Sequence, residues 1–174
     1  MLFLSKTRYE IGVDEVGRGC FAGPVVAAAV LWNISQTEDS KEIKDIKDSK
    51  KLSKKNRDSL SKFIKENAIA YGICFINSER VDEVNILNAT HEAMHGAIQN
   101  CISNIPENVK VEQLMIDGNN FKPFEEMKHE CILQGDSKHL HIASASILAK
   151  VARDTYMETL SSEFNERYDW NNNK

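Results

Sequence analysis

Residues 23–34 read GPVVAAAVLWNI. Every side chain from Val25 to Trp32 is apolar, so an extended strand here is apolar on both faces. Such a strand needs cover on both sides, which places it inside a sheet with helices packed above and below. The longest apolar run, FAGPVVAAAVLW, is too short for the roughly 18 to 20 residues of a membrane span. Residues 9–15 and 68–76 (AIAYGICFI) also read as strands, and the short link between the first two predicts antiparallel neighbours. Short strands follow at 113–117 and 131–133. Helical spacing of Ile86, Ala89, Ala93, Ala97 and Cys101 predicts a helix over 85–102, and a long helix covers about 142–166. Strands first, then helix and strand alternating, describe one α/β domain with a mixed sheet, and 174 residues suffice for its core.

Three strand-like runs end in acids: Asp14 with Glu15, then Asp117, then Asp136 just beyond the last. Functional sites in open α/β sheets gather at the carboxyl ends of strands. Neighbouring strands would bring the four carboxylates onto one patch. Two unit charges 4 Å apart repel by about 4 kcal/mol at an effective dielectric of 20, so such a patch calls for cations. All-oxygen donors suit Mg²⁺ or Mn²⁺ better than zinc, and two such ions roughly 3.5 to 4 Å apart can clamp a phosphodiester and activate water. Taken singly, Asp117 before Gly118 reads as a turn and Asp136 after Gly135 as a helix cap. Adjacent Asp14 and Glu15 within an apolar strand are harder to read as ordinary surface, because they alternate faces and one must turn inward.

Net charge is −4, yet residues 41–65 hold 10 of the 22 Lys and Arg with only 4 acids. A local basic stripe on an acidic protein can follow a phosphate backbone, although a solvated helix face is the commoner meaning of a charge run. Ser53 is placed to cap a helix in this segment, with Leu60, Phe63 and Ile64 as its buried stripe. Cys20, Cys74, Cys101 and Cys131 form no C-x-x-C pair, which favours a reducing, cytoplasmic setting. The apolar start of MLFLSKTRYE is too short for a signal peptide.

Five stretches in order, GVDEVGRG, AGPVVAAAV, DSKKLS, MIDGN and SASILAKVARD, span residues 11 to 154. In these the chain resembles bacterial ribonuclease HII. The resemblance implies a ribonuclease H-like fold, a mixed five-stranded sheet flanked by helices. It also implies a metal-dependent endonuclease that cuts the RNA strand of RNA–DNA hybrids and single ribonucleotides in duplex DNA, leaving 3′-hydroxyl and 5′-phosphate ends. By the same resemblance Asp14, Glu15, Asp117 and Asp136 are catalytic and hold two Mg²⁺ or Mn²⁺ ions. Asp14 would bridge them, Asp136 would serve the ion that activates water, and Glu15 and Asp117 the ion on the leaving-group side. Gly17, Arg18 and Gly19 fall on the family's ribonucleotide-reading loop. The glycines permit close backbone approach, and the 2′-hydroxyl in the minor groove is what distinguishes RNA from DNA.

Lys50 is the first choice for a phosphate contact in the basic stripe, on resemblance, and Arg18 is a further candidate. Ser144 and Ser146 are candidate phosphate donors, although small residues there would equally allow tight packing. Asp154 lies four residues after Lys150, so an ion pair is its simpler account. His139 and His141 receive no role. The expected partner is a hybrid or ribonucleotide-containing duplex, with no membrane and a monomeric state. Competing readings are another two-metal nuclease of the same fold and a non-catalytic nucleic-acid-binding module. The family also carries, after its last long helix, a helical segment opened by a Gly-Tyr-x-Thr motif whose tyrosine packs on a sugar at the RNA–DNA junction. No such motif precedes Lys174, and Tyr168 does not match its position. Weak cleavage of isolated ribonucleotides by this chain is therefore expected.

Overall fold

Residues 25–31 read VVAAAVL, apolar at every position, so neither side of an extended strand here reaches water. The structure, a computed structural model, describes residues 9–32, 40–47 and 49–164. Strand β1 is Glu10–Val16, β2 Val25–Leu31, β3 Ala70–Ile76, β4 Gln113–Asp117 and β5 His129–Ile132. The helices are α1 Lys41–Asp45, α2 Lys54–Asn67, α3 Ser78–Ile102 and α4 Leu140–Phe164, with 3₁₀ turns at Ser49–Lys51 and Gly135–Ser137. The sheet order is β3-β2-β1-β4-β5. The first three strands pair antiparallel, and β1–β4 and β4–β5 pair parallel. This is the mixed five-stranded sheet that the resemblance implied.

Two cores account for the two faces. Ala27, Ala29 and Leu31 of β2 face Ala93, Met94, Ala97 and Ile98 of α3, together with Ile11, Val13, Leu114 and Ile116. Ala28, Val30 and Trp32 face α2 and α4 through Ile64, Ala143, Ile147 and Leu148. Every residue of β2 is buried, as the two-sided apolar run required. Helix α4 sits close over β1 because Gly12 has no side chain. A Cβ there would overlap the backbone of His141 and Ile142, so the contact tolerates only glycine. That closeness brings α4 over the end of β1 where the acids lie.

Helix α2 begins as expected, the Ser53 side chain accepting from the Asn56 amide at 3.3 Å, with Leu60 and Ile64 buried. Residues 86–102 are helical with the expected buried face, but α3 starts earlier, at Ser78, and breaks at Asn85, whose φ is 66°. The Asn85 carboxamide accepts from the amides of Leu87 and Asn88 at 3.0 and 3.1 Å. It therefore caps the second half as a fresh helix start. The last strand lies at 129–132, two residues before the expected start. Leu133 falls outside it and is 62% exposed. Residues 33 and 34 of the expected second strand and 165 and 166 of the last helix lie outside the described residues, as does Tyr168.

Candidate active site

The acid cluster follows from strand order. β1 is the middle strand, and its parallel neighbour β4 is in register through Val13 and Ile116. One step beyond that pair stand Asp14 and Asp117. Strand β5 continues the sheet, pairing Ile132 with Asp117, and the chain then turns back through Gly135–Ser137. The Gly135 amide donates to Asp117 Oδ1 at 2.6 Å, and the Asp136 amide lies 3.4 Å from the same oxygen. Asp117 thus ends a strand and fixes the turn that carries Asp136, which explains why both acids sit beside a glycine.

Asp14 is the deepest of the four, at 6% exposure. Its Oδ1 accepts from the Glu15 amide at 2.7 Å. Burial, then the charges of Glu15 and Asp117, push its carboxyl well above the usual carboxylate range, against a restraining hydrogen bond from the Ser146 hydroxyl. Burial also raises Glu15, and Arg18 opposes that rise through a 3.3 Å ion pair. Both shifts come chiefly from burying a charge, with repulsion among the carboxylates added. As the side chains stand, no three or more His, Cys, Asp or Glu among the described residues close into a ready cage for an ion. Asp117 turns one oxygen back to the main chain. The donor set is nonetheless all carboxylate oxygen, which suits a hard divalent ion.

The glycine loop leaves β1 directly. Gly17 has φ +107°, and a Cβ there would lie 2.5 Å from Pro24 O. Only glycine enters this turn without strain. The Cys20 amide closes the turn onto Gly17 O at 3.2 Å, leaving Arg18 and Gly19 exposed at its tip. Phe21, also in this loop, is 100% exposed. Sequence reasoning passed over it, and the available signal was an aromatic between two glycines directly after the acids.

The remaining candidates divide. Ser144 is fully buried. Its hydroxyl accepts from Trp32 Nε1 at 2.9 Å and donates to Leu140 O at 2.8 Å. This corrects the reading of Ser144 as a phosphate donor, because the group faces the core and its bonds are spent there. Ser146 sits beside Asp14 and within 3.0 Å of Ser49 Oγ, so it supports the acid cluster. Through Ser49 the same link draws the Ser49–Lys51 turn toward the acids, with Lys50 exposed on it. Arg57 holds that turn by donating to Ser49 O at 3.2 Å and Leu52 O at 2.6 Å. Asp154 pairs with Lys150 at 2.8 Å, and Arg57 lies 3.8 Å away, so Asp154 braces this turn. His141 is buried, hydrogen-bonds Glu10 O through Nδ1, and burial pushes it down to about 4, making it a neutral packing group. His139 is half-buried and also lowered, chiefly by burial.

The family description ribonuclease HII matches residues 11–174. The chain is 46% identical over 177 residues to ribonuclease HII of Christiangramia forsetii, an alignment covering 100% of this chain and 82% of that one. Ribonuclease H2 from Pyrococcus horikoshii OT3 superposes with TM-score 0.73 at 25% identity, over 92% of this chain and 79% of that one. Bst ribonuclease HIII in complex with Mn²⁺ superposes with TM-score 0.78 at 20% identity, over 91% of this chain and 56% of that one, and shares the fold. With near-complete coverage at that level of identity, the chain belongs to the ribonuclease HII family and is a ribonuclease H-type endonuclease.

Proposed function

We propose that this chain hydrolyses the RNA strand of RNA–DNA hybrids and the phosphodiester at single ribonucleotides in duplex DNA, leaving 3′-hydroxyl and 5′-phosphate ends. The observation that carries this reading is the mutual repulsion of Asp14, Glu15 and Asp117 at one end of β1 and β4, with Asp136 on the turn that Asp117 holds, directly beside a glycine turn with an exposed tip. Asp14, Glu15, Asp117 and Asp136 would hold Mg²⁺ or Mn²⁺. A related fold determined with Mn²⁺ supports this choice. Bound there, the ions would neutralise phosphate charge and lower the pKa of water. Asp14, the most buried and the closest coupled to its neighbours, is the natural group for two ions to share.

The protein's own part is placement. The amides at the tip of the 17–20 turn meet the 2′-hydroxyl, which only the ribonucleotide offers. Acids and reader are adjacent in sequence because the scissile phosphate and the 2′-hydroxyl are adjacent in the substrate. Arg18, half-exposed beside Glu15, offers the rest of its donor fork to a phosphate. Lys50 and the basic stripe follow the backbone farther out. Removal of ribonucleotides from DNA would place the activity in DNA repair and replication, in the cytoplasm. The four free cysteines suit a reducing compartment, and no helix among the described residues is long and apolar enough to cross a membrane.

The test is an end-labelled RNA–DNA hybrid incubated with Mg²⁺, with Mn²⁺ or with EDTA. Cleavage with either ion, none with EDTA, and products that a 5′-phosphate-dependent exonuclease degrades are expected. Cleavage in EDTA, or 5′-hydroxyl products, would contradict the reading.

A further inference from the structure

Arg153 is the charged side chain most completely enclosed in the described residues, at 0% exposure on α4. Nε donates to Pro24 O at 2.9 Å and Nη2 to Ala22 O at 2.6 Å. Nη1 is buried with no hydrogen-bond partner among the described residues. Enclosing a guanidinium against main-chain carbonyls is expensive, and an apolar side chain would fill the same space at less cost. What the cation gains for the fold is control of one loop. Its two acceptors lie at the far end of residues 17–24. At the near end a Cβ on Gly17 would lie 2.8 Å from Nε, and at the far end one on Gly23 would lie 3.2 Å from Nη2. Both ends of the loop therefore close on one rigid, planar group.

The same helix also touches the acids. Ser146, hydrogen-bonded to Asp14, precedes Arg153 by seven residues, two helical turns along one face, or roughly 10 Å. Helix α4 thus acts as a ruler with the carboxylates at one mark and the glycine loop at the other. With the carbonyls of Ala22 and Pro24 turned inward onto Arg153, the tip at Arg18 and Gly19 is left exposed.

We propose that Arg153 is a positioning residue: its buried fork fixes loop 17–24 at a set distance from Asp14 and so determines how sharply the enzyme tells a 2′-hydroxyl from a 2′-hydrogen. The inference rests on the assignment of this loop as the ribonucleotide reader. Misplacement by about 1 Å is enough to cost ~100-fold in a positioned reaction. Lysine keeps the charge at 153 but cannot span two carbonyls with a fixed fork. Methionine keeps the volume and loses both bonds.

The experiment compares wild type, Arg153→Lys, Arg153→Met and, as a control for lost stability, Met94→Ala, which opens the opposite core without touching the loop. Affinity is measured with Ca²⁺ for two duplexes that differ only by one ribonucleotide, and amide hydrogen exchange is followed over residues 17–23. The expected result is a ribonucleotide preference reduced at least tenfold in both Arg153 variants, with faster loop exchange, while Met94→Ala keeps the wild-type preference. Mn²⁺ binding should be unchanged throughout. An unchanged preference in Arg153→Lys, or an equal loss in Met94→Ala, overturns the proposal. If Arg153→Met fails to fold, Arg153→Lys alone decides. A wild-type protein that shows no preference removes the reader assignment itself and this inference with it. That outcome is distinct from a preference that persists in the variants, which overturns only the role of Arg153.

Discussion

Replacing Ser144 by alanine separates a core hydroxyl from a substrate contact. The Trp32 indole is 1% exposed, and its N–H has Ser144 Oγ as its acceptor at 2.9 Å. The substitution strands that donor in a space too apolar to supply another partner. A buried polar group left unpaired costs about 1 to 3 kcal/mol, of which the better helix propensity of alanine returns roughly 0.5 kcal/mol at most. For 174 residues at ~2.1 cal/mol/K per residue, the unfolding entropy is about 0.37 kcal/mol/K, so a net loss of about 0.5 to 2.5 kcal/mol lowers Tm by ~1 to 7 °C. Thermal unfolding and steady-state cleavage are measured on the same preparation. Ser144→Ala should lose several degrees and keep its kcat/KM on a hybrid at temperatures where it is folded. An unchanged Tm with a tenfold fall in kcat/KM would refute the reasoning and return Ser144 to the substrate.

Asp14→Asn should lower cleavage by more than ~100-fold, since even outer partners of metal ligands are worth about 10- to 100-fold. Without metal the same variant should be more stable than wild type at neutral pH. Burial and the neighbouring charges raise the folded-state pKa of Asp14 above its unfolded value, so its stabilising protonation is complete below the unfolded value and lost as pH rises through the folded one. Denaturant midpoints in EDTA should therefore favour Asp14→Asn at pH 7 and converge toward acid pH. Lys50→Ala should weaken hybrid binding evenly across sequences and reduce the salt slope by about one unit; an unchanged slope would leave Lys50 as a surface charge. Gly17→Ala forces a side chain to φ +107°, at a cost of about 1 to 3 kcal/mol. It should abolish the preference for a ribonucleotide before it abolishes Mn²⁺ binding, as titrations of both would show.

Strand β2 was legible because burial on two faces leaves no polar position to disguise it. Asp14 and Glu15 were legible because two adjacent carboxylates in an apolar strand cannot both point to water. Asp117 and Asp136 each looked like a turn when taken alone. Strand order, which pairs β4 with β1 and β5 with β4, is what joins them to Asp14. The first part of α3 went unread because residues 78–84 present few buried side chains, and an exposed helix leaves little apolar period. Ser144 and Ser146 are two positions apart on a helix and so face different ways. One meets Trp32 and the other Asp14, a distinction set by the rotation of α4 and invisible in the string. Arg153 was hidden for a related reason. A cation within a helix ordinarily pairs with acids three or four residues away, whereas its actual partners, Ala22 and Pro24, lie some 130 residues earlier.

The most direct measurement is cleavage of a labelled DNA duplex carrying one ribonucleotide, beside the identical all-DNA duplex, by wild type and Asp117→Asn in Mg²⁺. The arrangement of carboxylates and glycine turn predicts that wild type cuts only the ribonucleotide-containing duplex, at the ribonucleotide, and that Asp117→Asn cuts neither while still folding and binding both. Cutting of the all-DNA duplex at a comparable rate, or near-normal cutting by Asp117→Asn, would contradict it.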